Sequence, residues 1–307
     1  KNTTIPNSVT SIGSSAFYGC SGLSNVTFPN SVTSIGTYAF YYCSGLTSVS
    51  IPNSVNKIGS EAFEGCSGLT SIKINIVDWA NNNVVVTTDN LSNKPLSYTY
   101  NGKKIEGDYT IPNNTASIGE YALYKCEDIT KLTIPNSVDK VGHHAFYGCS
   151  NLTSMTIGNL VTSIGMYTFS NCTDLTSVTF PNSVTSIGNK AFEGCSGLTS
   201  MTIGNAVTSI GENSFSGCSN LTSVEINIVD WANKNVVVTT ENLSNKSLSY
   251  TYNGKKIEGN YTIPSNVTSI GESALYKCKD IVKLTIPKSV TSIGEYTFSN
   301  CKNLEEV

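Results

Sequence analysis

Apolar residues recur with a period of 23 along most of the chain. The unit that begins at Leu46 and ends at Cys66 has eight apolar positions, separated mainly by Ser, Asn and Gly. Around Val49 and Ile51 apolar and polar residues alternate, which is the pattern of a strand with one buried and one solvated face. The unit therefore begins with a short strand that faces a core.

The second half of each unit predicts a different local structure. Residues 55–58 form another short extended segment, after which Gly59 turns the chain. Ala62, Cys66 and Leu69 then stand at positions i, i+4 and i+7, which is the spacing of one or two helical turns. We therefore expect a strand, a second extended piece and a short helical segment in every unit.

Ten cysteines mark the copies of this unit. They are separated by 23 residues, except for two steps of 60, which equal one unit plus 37 residues. Repeats of this length form solenoids, because each unit buries its apolar face only against its neighbours. We expect residues 1–307 to form a single solenoid of ten 23-residue repeats, with the cysteines as a ladder of free buried thiols.

Two inserts interrupt the repeats, at residues 75–110 and 227–262. They are near-copies of one another at an offset of 152 residues, so a block of the chain has been duplicated. Each contains an Asn-Gly pair between alternating polar and apolar residues, Asn101-Gly102 in the first and Asn253-Gly254 in the second. This is a strong hairpin signal, and we predict a β-hairpin in each insert.

The repeat itself resembles a known family. The pattern Ile-Pro-x-Ser-Val-Thr-Ser-Ile-Gly-x-x-Ala-Phe-x-x-Cys-x-x-Leu-Thr-Ser-Val, repeated nearly verbatim at residues 28–49, 51–72 and 180–201, is similar to the BspA-like leucine-rich repeats. The resemblance implies an α/β leucine-rich-repeat solenoid, a curved horseshoe with a parallel β-sheet on the concave face and short helical turns on the convex side. It also implies a cell-surface or secreted location, with adhesin-like binding of a host or matrix protein or of another surface protein.

Composition excludes several functional classes. Charged residues make up 13% of the chain, about half the usual ~25%, and the net charge is −3, so nothing attracts nucleic acid. No run of ~18 apolar residues is present for membrane insertion. The cysteines form no CxxC pair, His143 and His144 are adjacent, and Asp78 and Asp230 lie in different inserts. We therefore expect no enzyme activity, no cofactor and no metal.

Candidate partner-binding residues gather at the inserts and at the strands that flank them. The two tryptophans of the chain are either buried anchors or contact residues, and the hairpin tyrosines either pack on the solenoid or face a partner. Strand positions that face solvent are mostly Ser and Thr, and charges interrupt them only beside the inserts. The candidates are Trp79, Tyr98, Tyr100, Lys73 and Lys131 for the first insert, and Trp231, Tyr250, Tyr252, Glu225 and Lys283 for the second.

These features leave more than one hypothesis for function. The leading one is an extracellular binding module that holds two inserts at a fixed separation. The alternative is a structural spacer or stalk, which the neutral Ser and Thr surface favours. Binding to ice is a third, against which the expected curvature argues. Neither end carries a polar capping unit, so we expect the chain to be part of a longer surface protein.

Overall fold

The chain winds into a β-solenoid built from two stacks of parallel strands. The computed structural model describes residues 2–82, 95–240, 243 and 245–307. Its longer strands lie side by side in what we call the long-strand stack. They are Asn2–Thr4, Asn25–Thr27, Ser48–Pro52, Ser71–Ile76, Leu96–Tyr100, Gly107–Thr110, Ile129–Thr133, Ser154–Thr156, Ser177–Thr179, Ser200–Gly204, Ser223–Ile228, Ser247–Tyr252, Gly259–Thr262 and Ile281–Thr285.

Two-residue strands form a second stack, the short-strand stack, at the next corner of each turn. They are Ser11–Ile12, Ser34–Ile35, Lys57–Ile58, Ser117–Ile118, Lys140–Val141, Ser163–Ile164, Ser186–Ile187, Ser209–Ile210, Ser269–Ile270 and Ser292–Ile293. Trp79 and Trp231 take the place of a short strand in the inserts, since their carbonyls accept from Gly119 and Gly271 as Ile35 accepts from Gly59. The described residues therefore complete about twelve turns.

Register follows the 23-residue repeat. Ser200 lies opposite Ser223, and Met201 lies opposite Val224, so like positions of successive turns stack on one another. Apolar side chains point inward at every turn because the side-chain period of a strand is two. In the unit from Leu46, seven of the eight apolar positions are buried and Ile58 is half-buried. Each turn thus completes the core of its neighbours.

Both predicted hairpins are confirmed. In the first insert Leu96–Tyr100 pairs antiparallel with the return strand Lys103–Lys104, and in the second Ser247–Tyr252 pairs with Lys255–Lys256. Asn101 and Asn253 adopt left-handed φ angles of 50° and 49°, and the glycines that follow are also left-handed. These angles are what a tight two-residue hairpin turn requires. Residues 83–94 of the first insert, and 241, 242 and 244 of the second, lie outside the described residues.

The predicted short helical turns are wrong. The turn segment of each repeat, for example residues 142–149, contains two left-handed residues four positions apart, here His144 with φ 55° and Gly148 with φ 69°. An α-helix does not tolerate a left-handed residue. The single helix of the described residues is one 3-10 turn, Val236–Thr239, in the second insert.

Hydrogen bonding explains why this segment is not helical. The amides of His144, Phe146 and Gly148 donate to carbonyls of the following solenoid turn at 2.8–2.9 Å. The amides that alternate with them, of Ala145, Tyr147 and Cys149, donate three residues back within the same segment at 3.1–3.4 Å. Alternate amides therefore serve two different turns, whereas a helix directs all of them along its own axis.

Curvature into a horseshoe, and a concave position for the long-strand stack, stay predictions.

The cysteines form the expected ladder beside the phenylalanines. Eight of the ten are buried, Cys301 is half-buried and Cys20 is exposed. The Cys172 thiol donates to the carbonyl of Phe146 in the preceding turn at 3.4 Å, and Cys195 donates to Phe169 at 3.1 Å. Burial raises the pKa of the Cys172 thiol well above its usual value. These thiols are structural groups that replace a small apolar side chain and add one weak hydrogen bond.

Labelling with iodoacetamide at pH 8 tests this ladder. We expect Cys20 to react first, Cys301 more slowly, and the eight buried thiols at least about 1,000-fold more slowly than Cys20, because they react only when their turns open. Mass spectrometry of peptides from a time course measures each site. A Cys20→Ser variant should lose the fast phase and keep the slow ones. Equal rates at all ten sites would contradict a packed thiol ladder.

Candidate functional site

Both tryptophans are buried where the inserts leave the solenoid. The Trp79 side chain is 3% exposed and that of Trp231 is 2% exposed, so each is an anchor inside its insert. The Trp79 ring packs against Tyr100 and Tyr109, with centroid distances of 5.8 and 6.0 Å. Trp231 repeats this arrangement at 5.7 and 6.3 Å with the equivalent tyrosines of the second insert. The two inserts are therefore built on the same aromatic cluster.

A buried asparagine from the preceding turn fixes the backbone just before each tryptophan. Asn53 Oδ1 accepts from Val77 N at 2.7 Å, and its Nδ2 donates to Asp78 O at 3.0 Å. Asn205 makes the same two bonds in the second copy, to Val229 N at 2.7 Å and to Asp230 O at 2.6 Å. These contacts hold the chain as it turns into the insert. Sequence reasoning missed both asparagines, since the same residue type follows Pro in ordinary repeats.

The first tyrosine of each hairpin strand is also an internal anchor. Tyr98 and Tyr250 are fully buried, and their hydroxyls donate to the carbonyls of Tyr124 and Tyr276 in the next turn at 2.5 Å. Burial raises the pKa of both phenols well above the usual value. Tyr100 and Tyr252 are half-buried and keep part of the ring at the surface. Of the four hairpin tyrosines, these two have surface to offer a ligand.

The candidate charges lie on the outer side of the long-strand stack. Lys73 is exposed, and Glu225, its equivalent in the second copy, is half-buried. Lys131 Nζ lies 2.9 Å from Asp108 Oδ2, and Lys283 Nζ lies 2.5 Å from Glu306 Oε1. Sequence reasoning missed both partners, because each lies one turn away in space and 23 residues away in the chain. All four charges sit next to an insert, but they are not brought together into one cluster.

The hairpin tips are the most exposed part of each insert. We call residues 101–104 and 253–256 the hairpin tips; every residue in them is exposed, and each ends in two lysines. Lys104 pairs with Glu106 at 2.8 Å and with Asp128 at 3.1 Å. Lys103 makes no ion pair within the described residues. The tips therefore place positive charge on a stack whose other outward positions are mainly Ser and Thr.

Sequence reasoning also overlooked a group of tyrosines on the turn segments. Tyr18 and Tyr42 are 57% and 56% exposed, and both rings contact Tyr41, at centroid distances of 5.3 and 4.6 Å. In a similar stack, the His144 ring lies between the rings of Tyr121 and Tyr167, with a centroid distance of 4.8 Å to each. Desolvation lowers the pKa of His144. The only sequence signal for this group is that tyrosine recurs in several repeats at a variable position of the turn segment.

The described residues were also searched for a metal site and for a membrane-spanning helix. Across residues 2–82, 95–240, 243 and 245–307, His, Cys, Asp and Glu side chains nowhere gather in threes that suit a metal ion. The portion of the chain that the structure describes has no helix with the length and hydrophobicity of a membrane span.

Comparison with known proteins identifies the repeat. The family model described as BspA type leucine rich repeat region (6 copies) matches residues 1–96, 96–222, 140–258 and 239–307, which together span the chain. No curated protein matches.

Three solved structures are similar to this chain. A leucine-rich cell surface protein from Faecalibacterium prausnitzii is 30% identical, with 73% of this chain and 59% of that chain covered and a TM-score of 0.48. A leucine-rich repeat protein from Bacteroides ovatus is 24% identical over 99% and 85% of the two chains, with a TM-score of 0.49. The pneumococcal vaccine antigen PcpA is 16% identical over 96% and 89%, with a TM-score of 0.44. The chain thus spans 59% of the Faecalibacterium protein's length. Because the family model matches the whole chain, this protein belongs to the BspA-type leucine-rich-repeat family.

Proposed function

We propose that this chain is a non-catalytic, cell-surface or secreted protein-binding module whose two hairpin tips contact the partner. The supporting observation is the exposure of the tips, with two lysines each, beside a surface of Ser and Thr. The partner is a host or matrix protein, or another surface protein, with an acidic patch that complements the lysines. The half-buried tyrosines Tyr100 and Tyr252 adjoin the tips and add contact area of the kind that interfaces favour.

The buried anchors serve this function indirectly. Trp79, Trp231, Tyr98 and Tyr250 hold each hairpin against the solenoid, so its tip has a fixed position before the partner arrives. A rigid tip loses less conformational entropy on binding than a loose loop. We therefore assign the four anchors to positioning, and Lys73, Lys131, Glu225 and Lys283 to the outer edge of each contact surface.

Duplication of the insert gives the module two attachment points. Two weak contacts on one rigid body act together, because the second forms at a high effective concentration once the first is made. The contact surfaces are not identical, since Glu225 stands where the first copy has Lys73. The second contact surface is therefore expected to bind an acidic patch more weakly than the first.

Charge removal at the tips tests the proposal. We expect replacement of all four tip lysines by serine to weaken binding of the intact chain to host cells and purified matrix proteins by about 100-fold, and a change at one tip to weaken it about tenfold. Surface plasmon resonance measures both. The matched control makes the same charge change elsewhere, at Lys57, Lys140, Lys288 and Lys302, all of which are exposed. Equal losses in the two variants would contradict a specific role for the tips.

A spacer or stalk is the second candidate, and one observation favours it. Threonine hydroxyls donate to backbone carbonyls one turn back along a continuous ladder, as Thr153 does to Thr130 O at 3.0 Å and Thr176 to Thr153 O at 3.2 Å. Such a surface satisfies its own hydrogen bonds and stiffens the stack. Absence of saturable binding by the intact chain to every partner in the screen would favour this function over the first.

A further inference from the structure

We propose that two stacked tyrosine pairs, Tyr18 with Tyr41 and Tyr124 with Tyr147, are sites of oxidative cross-linking at which successive turns become joined by a dityrosine bond. The members of each pair occupy the same position of neighbouring repeats, 23 residues apart. Their ring centroids are 5.3 and 5.0 Å apart, with interplanar angles of 22° and 8°. The turn segments thus offer a covalent link between turns, whereas the cysteines are all unpaired.

Parallel stacking is the arrangement that this coupling needs. Dityrosine forms between two ring carbons that each adjoin the hydroxyl-bearing carbon, and the bonding p orbitals stand perpendicular to the ring planes. Parallel rings direct these orbitals at one another. The other close tyrosine contacts of Tyr41 are T-shaped, at 86° to Tyr38 and 74° to Tyr42. In those contacts the orbitals of one ring meet the edge of the other, so we expect coupling across turns rather than within one.

The rings of both pairs are open to an oxidant in solution. Tyr18 is more than half exposed, and so is Tyr42, whose ring contacts Tyr41. Tyr124 and Tyr147 are half-buried and keep part of each ring at the surface. A radical on one ring exchanges with a phenol that contacts it, so Tyr41 becomes oxidised through either exposed neighbour.

The reaction balances with hydrogen peroxide as the oxidant and a haem peroxidase as the catalyst. Desolvation raises the pKa of Tyr41 and of Tyr124, so both phenols carry their proton at neutral pH. Each ring of a pair loses one electron and one proton, and the two neutral radicals join through a carbon–carbon bond. Each joined carbon then loses its hydrogen as a proton and each oxygen regains one, which restores two phenols. The two hydrogen atoms removed convert one H₂O₂ to two molecules of water.

The duplicated block supplies a natural comparison. Tyr276 stands 152 residues after Tyr124 and is half-buried like it, and each has a lysine ammonium near its ring, at 5.3 and 5.5 Å from the centroid. The equivalent of Tyr147 is Ser299, so the Tyr276 ring lacks a stacked tyrosine. Tyr296 is 65% exposed but stacks on no ring among the described residues. These two unstacked tyrosines, Tyr276 and Tyr296, separate the effect of stacking from that of exposure.

Oxidation of the intact chain with a haem peroxidase and hydrogen peroxide tests the inference. We expect links within both stacked pairs, with yields that do not depend on protein concentration. At low micromolar chain concentration these yields should exceed that of any link from the two unstacked tyrosines at least about tenfold, because a stacked partner has a high effective concentration. Dityrosine fluorescence measures total coupling. Mass spectrometry of peptic peptides identifies the joined pairs, each lighter by two hydrogen atoms than its two parts.

Exchange of residues between the two copies should move the site. Tyr147→Ser gives the first copy the residue of the second, and we expect it to abolish the link at Tyr124. Ser299→Tyr gives the second copy the residue of the first, and it should create a new link to Tyr276. Circular dichroism checks that both variants keep the fold of the unchanged chain.

Tyr41→Phe separates the phenol from the stack. Phenylalanine retains the ring and loses the hydroxyl, so we expect the link at Tyr18 to disappear while the link in the other stacked pair remains. In the unchanged chain, each link closes a 23-residue loop, and the oxidised chain should therefore unfold at a higher urea concentration than the untreated one. Lys103→Ser at the first hairpin tip should alter neither link, so this inference stands or falls independently of the proposed function.

Three outcomes would overturn the inference. One is a yield at the stacked pairs that rises with protein concentration, since coupling would then occur between chains. Another is an equal yield at the unstacked tyrosines. The third is a Ser299→Tyr variant that keeps its fold and forms no link to Tyr276.

Discussion

Replacing Phe192 with alanine is expected to lower the free energy of unfolding by about 4 kcal/mol. Phe192 is completely buried, and its ring stacks on Phe169 at 5.3 Å and on Phe215 at 5.4 Å, with Phe180 edge-on at 5.5 Å. Removal of the ring leaves a cavity and breaks three aromatic contacts at once, each worth about 0.5–1.5 kcal/mol beyond the buried area. Urea denaturation followed by circular dichroism measures the loss.

Phe192→Leu is the matched control for this prediction. Leucine occupies the equivalent position at Leu123 and Leu275, in the repeats that follow the inserts, and is fully buried there. We therefore expect the leucine variant to cost only about 1 kcal/mol. The comparison should use both the midpoint and the slope of the transition, because repeat arrays can unfold in parts. An alanine variant as stable as the leucine variant would mean that the phenylalanine stack contributes little.

Asn205→Ala is expected to destabilise the second insert by about 3 kcal/mol. The Asn205 side chain accepts from Val229 N and Asp230 N at 2.7 and 3.2 Å and donates to Asp230 O at 2.6 Å. Alanine leaves these backbone groups without partners at a partly buried site. In a Trp79→Phe background Trp231 is the single source of tryptophan emission, so the red shift of that emission in urea reports opening of the second insert. We expect that shift at a lower urea concentration than the loss of the β-sheet signal.

Asn182→Ala provides the control for Asn205. Asn182 stands one repeat earlier at the same position of its unit, but it is exposed and accepts only from Asn227 Nδ2, at 2.9 Å. Exposed substitutions of this kind usually change stability by no more than about 0.5 kcal/mol. If Asn182→Ala and Asn205→Ala cost the same, the buried hydrogen bonds at the entry to the insert are not what holds it.

Spacing alone predicted the solenoid, its strands and the thiol ladder, because buried side chains must recur once per turn. It failed at the turn segment. Ala62 and Cys66 stand four residues apart in a helix and also in the observed segment, where Glu61 just before Ala62 and Gly65 just before Cys66 are left-handed. At the first of these positions the residues include Tyr38, Glu61 and Lys190, none of which favours a left-handed angle. Hydrogen bonds to the next turn impose that angle, and they are visible only in three dimensions.

The candidate site was predictable in place but not in detail. The Asn-Gly pairs located the hairpins, and the breaks in the Ser and Thr pattern located the neighbouring charges. Whether Trp79 faced solvent or core depended on the neighbouring turn, where Tyr109 packs on it. The partner of Lys131 depended on the register that places Asp108 opposite it. Side chains that meet across turns are distant in the sequence and carry no local signal.

The register of like residues on like residues also governs how this molecule can evolve. The duplicated block of 152 residues equals five repeats and one 37-residue addition, and five short strands lie between Trp79 and Trp231. Unequal recombination between near-identical repeats therefore adds or removes whole turns. Residues beyond the recombination point keep their orientation around the solenoid axis. The span between the two inserts, about 29 Å at ~4.8 Å per turn, is thus a heritable length that changes in discrete steps while each insert keeps its own supporting turns.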